Sequence, residues 1–293
     1  MKKLVIAAAL LCCGLYTKAQ VKGIKHVILI GMDGLGAYAI PESRVPNMQQ
    51  MMQHGSWTLQ ARSVLPSSSA VNWASMVMGA GPEIHGYTEW NSQTPELPSR
   101  VLDKYGLFPS IYTLIREAKP AAEIGVIYTW EGIGALFPKA AVNKDQHCDN
   151  DSATTEAALA YMTAKKPDFL FIHFDEPDHT GHTTGHKNAT YYEQVHRQDS
   201  LLGKLLEGIK AAGMWENSIV ILTADHGGIN KGHGGKTMQE MQIPWIMVGK
   251  GVLENHELKE SIMTYDTAAT IAYIFGLKIP QAWIGRTINA FKR

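Results

Sequence analysis

Three apolar runs, each closing on an acidic residue, set the frame for this chain. The first is Val27-Ile28-Leu29-Ile30-Gly31-Met32-Asp33-Gly34, where four apolar residues lead into an aspartate among flexible neighbours. An unbroken apolar run of this length suits a strand covered on both faces, as in a parallel sheet. The second run, 168–174, ends in Asp175-Glu176-Pro177-Asp178-His179-Thr180-Gly181-His182. The third, 218–223, ends in Ala224-Asp225-His226-Gly227-Gly228. Open α/β sheets place their ligands outside the carboxyl ends of the strands. Alone, Asp33 reads equally well as a solvated turn residue. Three strand ends bearing Asp or Asp and His are not explained by solvation.

Further strands are expected at 123–129 and 243–248. Helices are expected near 45–54, 72–78, 110–117, 153–164, 191–212 and 266–275. Strands alternating with helices imply an α/β fold with right-handed crossovers and a mainly parallel sheet. Residues 81–109 are rich in Pro, Gly, Ser and Asn and contain Trp90. They read as a long loop or small cap beside the site.

The N-terminus is different in kind. Lys2 and Lys3 precede an apolar run, 4–15, followed by Thr17-Lys18-Ala19-Gln20. That pattern predicts a signal peptide over 1–19, too short to span a bilayer, and a single catalytic domain over 20–293. Cys12 follows Leu11 and Cys13 follows Cys12, whereas a lipobox needs a small residue before its cysteine. The remaining chain keeps only Cys148, so no internal disulfide can form. An exported, periplasmic or secreted protein without a stable membrane anchor is expected. The 27 basic and 27 acidic residues balance, which gives no footprint for nucleic acid.

Asp33, Asp178, His182, Asp225, His226 and His233 are the candidate ligands. They are too many for one tetrahedral zinc and about right for two metal ions. His173 alternates into its strand and reads as a core residue; His179 and His186 read as supports behind ligands. Ser67, Ser68 and Ser69 sit ahead of a helix that begins near Asn72. Serines cap helices everywhere, but the same geometry places a hydroxyl at the positive end of the dipole, where backbone N–H groups hold phosphate.

These segments, in this order, resemble the alkaline phosphatase superfamily, and most its type I phosphodiesterase/nucleotide pyrophosphatase branch. Residues 27–34 resemble the first metal motif. Val45-Pro46-Asn47-Met48 with His54-Gly55 resembles "TPN…L…G". Residues 66–72 with 79–86 are similar to "PT.T.PNH…TG..P..HGI". Residues 176–185 resemble "EEPD..GH..G", 224–227 match "DHG", and 232–249 are similar to "G.HGY…M….G". The resemblance implies a three-layer α/β/α sandwich with Ser69 as nucleophile. One metal ion would be held by Asp33, Ser69, Asp225 and His226, the other by Asp178, His182 and His233, with zinc the expected metal. Asn72 would donate to a phosphoryl oxygen. Trp73 stands where the family often has histidine, and Val71 replaces a proline.

The expected reaction is hydrolysis of a phosphodiester or pyrophosphate bond in a small phosphorylated substrate, through a phosphoseryl intermediate. No arginine lies beside Ser69 to favour a dianionic monoester, though Lys231 and Lys236 lie near the ligands. The alternatives are a phosphomonoesterase, a phosphonate hydrolase and an inactive metal-dependent binding protein. A sulfatase lacks support, because Ser69 lies in no Cys/Ser-x-Pro-x-Arg setting. Tyr87, Trp90 and Trp130 are candidate walls for a planar substituent.

Overall fold

The computed structural model describes residues 21–292; the expected signal peptide lies outside the described residues. Eight strands form one sheet: β1 (His26–Met32), β2 (Gly55–Arg62), β3 (Ile124–Tyr128), β4 (Lys144–His147), β5 (Phe169–Phe174), β6 (Ser218–Thr223), β7 (Gln242–Gly249) and β8 (His256–Glu257). Their order is β4-β3-β5-β1-β6-β7-β2-β8. The sheet is parallel from β4 to β6, and β7 runs antiparallel to both β6 and β2. The three runs that end in acidic residues are therefore the adjacent strands β5, β1 and β6. Residues 27–32, 169–174 and 218–223 are all buried, as two covered faces require.

Ten α-helices accompany the sheet among the described residues: α1 (Ala39–Glu42), α2 (Pro46–Gln53), α3 (Ser69–Met78), α4 (Pro82–His85), α5 (Ile111–Ala118), α6 (Asp151–Lys165), α7 (Asp178–Thr184), α8 (Ala189–Ala211), α9 (Met238–Met241) and α10 (Asp266–Phe275). α2, α6 and α8 pack together as one group, and α3, α5 and α10 as another, which gives the three-layer sandwich. All ten residues of α3 are buried. No described helix is long and apolar enough to cross a membrane.

The structure adds three strands to those expected. β2 mixes polar and apolar residues, β4 is the polar edge sequence Lys-Asp-Gln-His, and β8 has two residues. Helix α3 begins at Ser69, three residues earlier than the apolar spacing indicates. The segment 178–184, which lies outside every helix expected from the sequence, is helix α7. Gly181 serves packing there: a Cβ on it would lie 2.4 Å from the His186 ring.

Two glycines around Asp33 are required by geometry. A Cβ on Gly31 would lie 2.4 Å from the Trp73 indole. Gly34 has φ +65°, and a Cβ on it would lie 2.6 Å from the Asp178 side chain. Gly31→Ala should cost about 1–3 kcal/mol by overpacking. Urea denaturation should show the midpoint falling with an unchanged slope.

Candidate active site

Backbone pairing continues past the strand ends. Asp33 N–H donates to Phe174 O at 2.9 Å, and Asp178 N–H donates to Asp33 O at 3.1 Å. Gly34 N–H donates to Asp225 Oδ1 at 3.1 Å. These bonds bring Asp33, Asp178 and Asp225 into one buried pocket. Asp33 Oδ2 accepts from Trp73 Nε1 at 3.0 Å and from His173 Nε2 at 3.2 Å. Its Oδ1 has no partner, nor have Asp178 Oδ1 and Asp225 Oδ2. A buried carboxylate oxygen without a donor is costly unless a proton or a cation meets it.

The histidines are fixed in the matching sense. Nδ1 of His226, His182 and His233 lies 2.8, 2.9 and 3.0 Å from the carbonyls of Gly227, Lys231 and Ser67. A carbonyl only accepts, so each Nδ1 carries the proton and each Nε2 turns inward. His226 Nε2 stands 3.1 Å from Asp225 Oδ2, 3.4 Å from Asp33 Oδ1 and 3.2 Å from Ser69 Oγ. His182 Nε2 stands 3.1 Å from Asp178 Oδ2 and 3.2 Å from His233 Nε2. Two metal-capable triads result: Asp178, His182 and His233, and Asp33, Asp178 and His226. Asp178 lies between them. Ser69 and Asp225 reach the second triad through His226.

The charge states follow from this crowding. Burial, then Asp33 and Asp178, push the Asp225 carboxyl well above its usual range. Burial, with His233 adding to it, lowers His226 to about 4, so it is neutral at pH 7. The hydrogen bond that His182 donates to Asp178 raises His182 to about 9, and Asp178 is held low against the opposing effect of burial, chiefly by that bond. On Asp225 and His182 a proton competes for the place of a cation.

The three serines are told apart by their partners. Ser67 Oγ donates to Gly235 O at 2.7 Å and accepts from Gly234 N–H at 3.2 Å. It ties the serine turn to the loop carrying His233. Ser68 Oγ is buried without a partner. Ser69 alone has its hydroxyl against His226 Nε2.

The donor role expected of Asn72 does not fit its surroundings. Its Oδ1 accepts from Val64 N–H at 2.7 Å, and its Nδ2 donates to the carbonyls of Val64, Pro66 and Ser68 at 3.3, 3.1 and 3.1 Å. Asn72 is fully buried and holds the turn. Sequence reasoning passes over Asn91, which the structure brings close. Ala70 N–H donates to Trp90 O at 3.1 Å, so Asn91 follows directly on a carbonyl pinned beside Ser69.

His173 proves to be more than a core residue, because it braces Asp33. His186 is buried behind α7, with Nδ1 3.1 Å from Tyr38 Oη. His179, Lys231 and Lys236 are exposed. Of the candidate walls, Tyr87 is fully buried and faces no substrate. Trp130 is half-buried near His173, and Trp90 is 61% exposed.

The sequence matches the type I phosphodiesterase/nucleotide pyrophosphatase profile over residues 27–231. The chain belongs to that family. It is 29% identical over 218 residues to a venom phosphodiesterase of Crotalus durissus collilineatus, covering 69% of this chain and 26% of the relative. It is 27% identical over 215 residues to ectonucleotide pyrophosphatase/phosphodiesterase family member 3 of Bos taurus, covering 69% and 24%. The match thus spans about a quarter of these relatives. In fold, it is similar to inactive murine ectonucleotide pyrophosphatase/phosphodiesterase 5 in complex with AMP. That match has a TM-score of 0.70 and 17% identity, and covers 87% of this chain and 96% of the other. A 2-O GAG sulfatase superposes with a TM-score of 0.75 at 14% identity, over 90% and 73%.

The His182–Asp178 pair is open to direct measurement. In chelator-treated protein, His182 should titrate by NMR near pH 9, and Asp178→Asn should return it towards about 6.5. Because the folded pKa is raised, the pair's contribution to stability is complete below about pH 6.5 and fades as pH rises through about 9.

Proposed function

We propose that this chain is a two-metal hydrolase of phosphodiester or pyrophosphate bonds, with Ser69 as the nucleophile and export directed by residues 1–19. One observation carries the reading. The inward Nε2 atoms of His182, His226 and His233 gather with Asp33 and Asp178 into two metal-capable triads, and Ser69 Oγ, at the N-terminus of α3, lies 3.2 Å from His226 Nε2. Mixed nitrogen and oxygen donors of this kind suit zinc. Asp33, Ser69, Asp225 and His226 would hold one ion, and Asp178, His182 and His233 the other. Bound there, divalent cations would lower the pKa of the serine hydroxyl and neutralise charge on the phosphoryl group.

The remaining work belongs to the chain. Ser69 Oγ attacks phosphorus in line, the P–O bond to the leaving group breaks, and a phosphoserine forms. Water attacks that phosphoserine from the vacated side, the Oγ–P bond breaks, the phosphoryl group leaves as a phosphomonoester, and a proton from the water restores the Ser69 hydroxyl. The positive end of α3 steadies the phosphoryl oxygens. Trp73 and His173 hold Asp33 so that Oδ1 alone faces the reaction. Asn91 is the better candidate for the donor to a phosphoryl oxygen: its Oδ1 accepts from Gln93 at 3.0 Å, which leaves its Nδ2 available. Neutral surroundings at Ser69 favour a monoanionic diester over a dianionic monoester. The complex of the murine relative with AMP supports a nucleotide-like substrate. The relatives' being venom and ectonucleotide enzymes supports an exported protein.

Ser69→Ala should lower kcat on bis-p-nitrophenyl phosphate by on the order of 10³-fold or more, with the circular dichroism spectrum unchanged. Wild type quenched in acid during turnover should yield a phosphorylated Ser69 peptide. A full rate in the variant would remove Ser69 from the mechanism, and wild-type inertness towards both this diester and p-nitrophenyl phosphate would remove the hydrolase reading. Chelator should abolish turnover, and zinc should restore it.

A further inference from the structure

The loop 232–235 carries His233 but has little packing of its own. Gly232 and Gly234 are half-buried and Gly235 is exposed, and a Cβ on Gly232 or Gly234 would meet nothing within 4 Å. A loop without packing is held in place by its hydrogen bonds. Three of them go to Ser67, which is fully buried and 166 residues away from His233. His233 Nδ1 donates to Ser67 O at 3.0 Å, Ser67 Oγ donates to Gly235 O at 2.7 Å, and Gly234 N–H donates to Ser67 Oγ at 3.2 Å. Gly235 N–H, bonded to Glu240 Oε1 at 2.7 Å, fastens the far end of the loop.

Ser67 stands two residues before Ser69 in a turn that is itself held firmly. Asn72 Nδ2 donates to the carbonyls on either side of Ser67, those of Pro66 and Ser68. His226 and His182 are oriented by the carbonyls of Gly227 and Lys231, whereas His233 takes its orientation from the serine turn. A second contact closes the circuit. The His233 ring stacks on His226, with centroids 3.7 Å apart and planes 15° from parallel, and His226 Nε2 lies 3.2 Å from Ser69 Oγ. Two routes therefore connect His233 to Ser69. We propose that Ser67 is a positioning residue that ties retention of the cation at Asp178, His182 and His233 to the turn carrying Ser69. It acts through His233, and the inference rests on the two-metal reading above. Removing a hydrogen-bonded support behind a metal ligand weakens metal affinity by about 10–100-fold.

Equilibrium dialysis of the full chain at stepped free Zn²⁺, read by elemental analysis, tests this without turnover. Wild type should hold about two ions. Ser67→Ala should keep one with unchanged affinity and bind the other about tenfold or more weakly. Ser68→Ala removes from the same turn a buried hydroxyl that has no partner, and should leave both affinities unchanged. Raising free Zn²⁺ should refill the weakened position and restore the turnover that Ser67→Ala loses at low zinc, which a collapsed turn would not do. Unchanged affinity for both ions in Ser67→Ala would overturn the proposal, as would equal weakening of both, or the same loss in Ser68→Ala. Wild type holding fewer than about one ion would overturn it together with the two-metal reading. A wild type that holds two ions but cleaves nothing would remove the hydrolase reading alone.

Discussion

The structure depends on the convergence of like charges in a buried space. Asp33, Asp178 and Asp225 are each at most 9% exposed, and each leaves one oxygen without a donor. At an effective dielectric of about 20, two carboxylates about 4 Å apart repel by about 4 kcal/mol. Neutral His226 does not relieve that repulsion, because the Gly227 carbonyl turns its Nε2 lone pair inward. Protons offset part of it, on Asp225 and on His182. Cations would convert the same arrangement from repulsive to attractive.

Such a site persists because the scaffold over-determines it. Its carboxylates follow the ends of three adjacent strands, and backbone hydrogen bonds tie Asp33 to Phe174 and Asp178. Each loop then has an anchor. Asn72 holds the serine turn with four hydrogen bonds. Asp151 holds the amides of Asp175 and Glu176 ahead of Asp178. Glu240 holds Gly235 N–H at 2.7 Å, and its own carbonyl accepts from Gly227 N–H, joining the His226 and His233 loops. Tyr191 Oη donates to Gly34 O at 2.7 Å. Most of these anchors are far from one another in sequence, so the geometry of the site is a property of the whole sheet.

That separation explains what can be read from the sequence. The central strands are legible because a strand covered on both faces must be apolar throughout, and the ligands because each follows such a strand. The edge strands β4 and β8, and β2 beside β8, are not legible, since they are short or mix polar and apolar residues without a clean alternation. Helix α7 is hidden by its composition, Asp-His-Thr-Gly-His-Thr-Thr, which is poor in helix formers. Glu176 supports its first turn by accepting Thr180 N–H at 2.9 Å. The spacing of Asp178 and His182 is visible, but its helical basis is not. Asn72 misleads because a sequence places a residue near a site without saying which way its side chain turns. Trp73, in sequence only a departure from the family pattern, and His173 acquire their part as braces on Asp33 only when three strands and a buried helix are assembled.

The central claim is that this pocket of carboxylates and imidazoles is built for two cations that meet at Asp178. Metal content of freshly purified, dialysed protein, measured by elemental analysis beside an Asp33→Ala variant, tests it most directly. About two ions per chain are expected in the wild type and about one in the variant, retained at Asp178, His182 and His233. Fewer than about one ion per wild-type chain, or a variant that loses both ions or neither, would contradict the account.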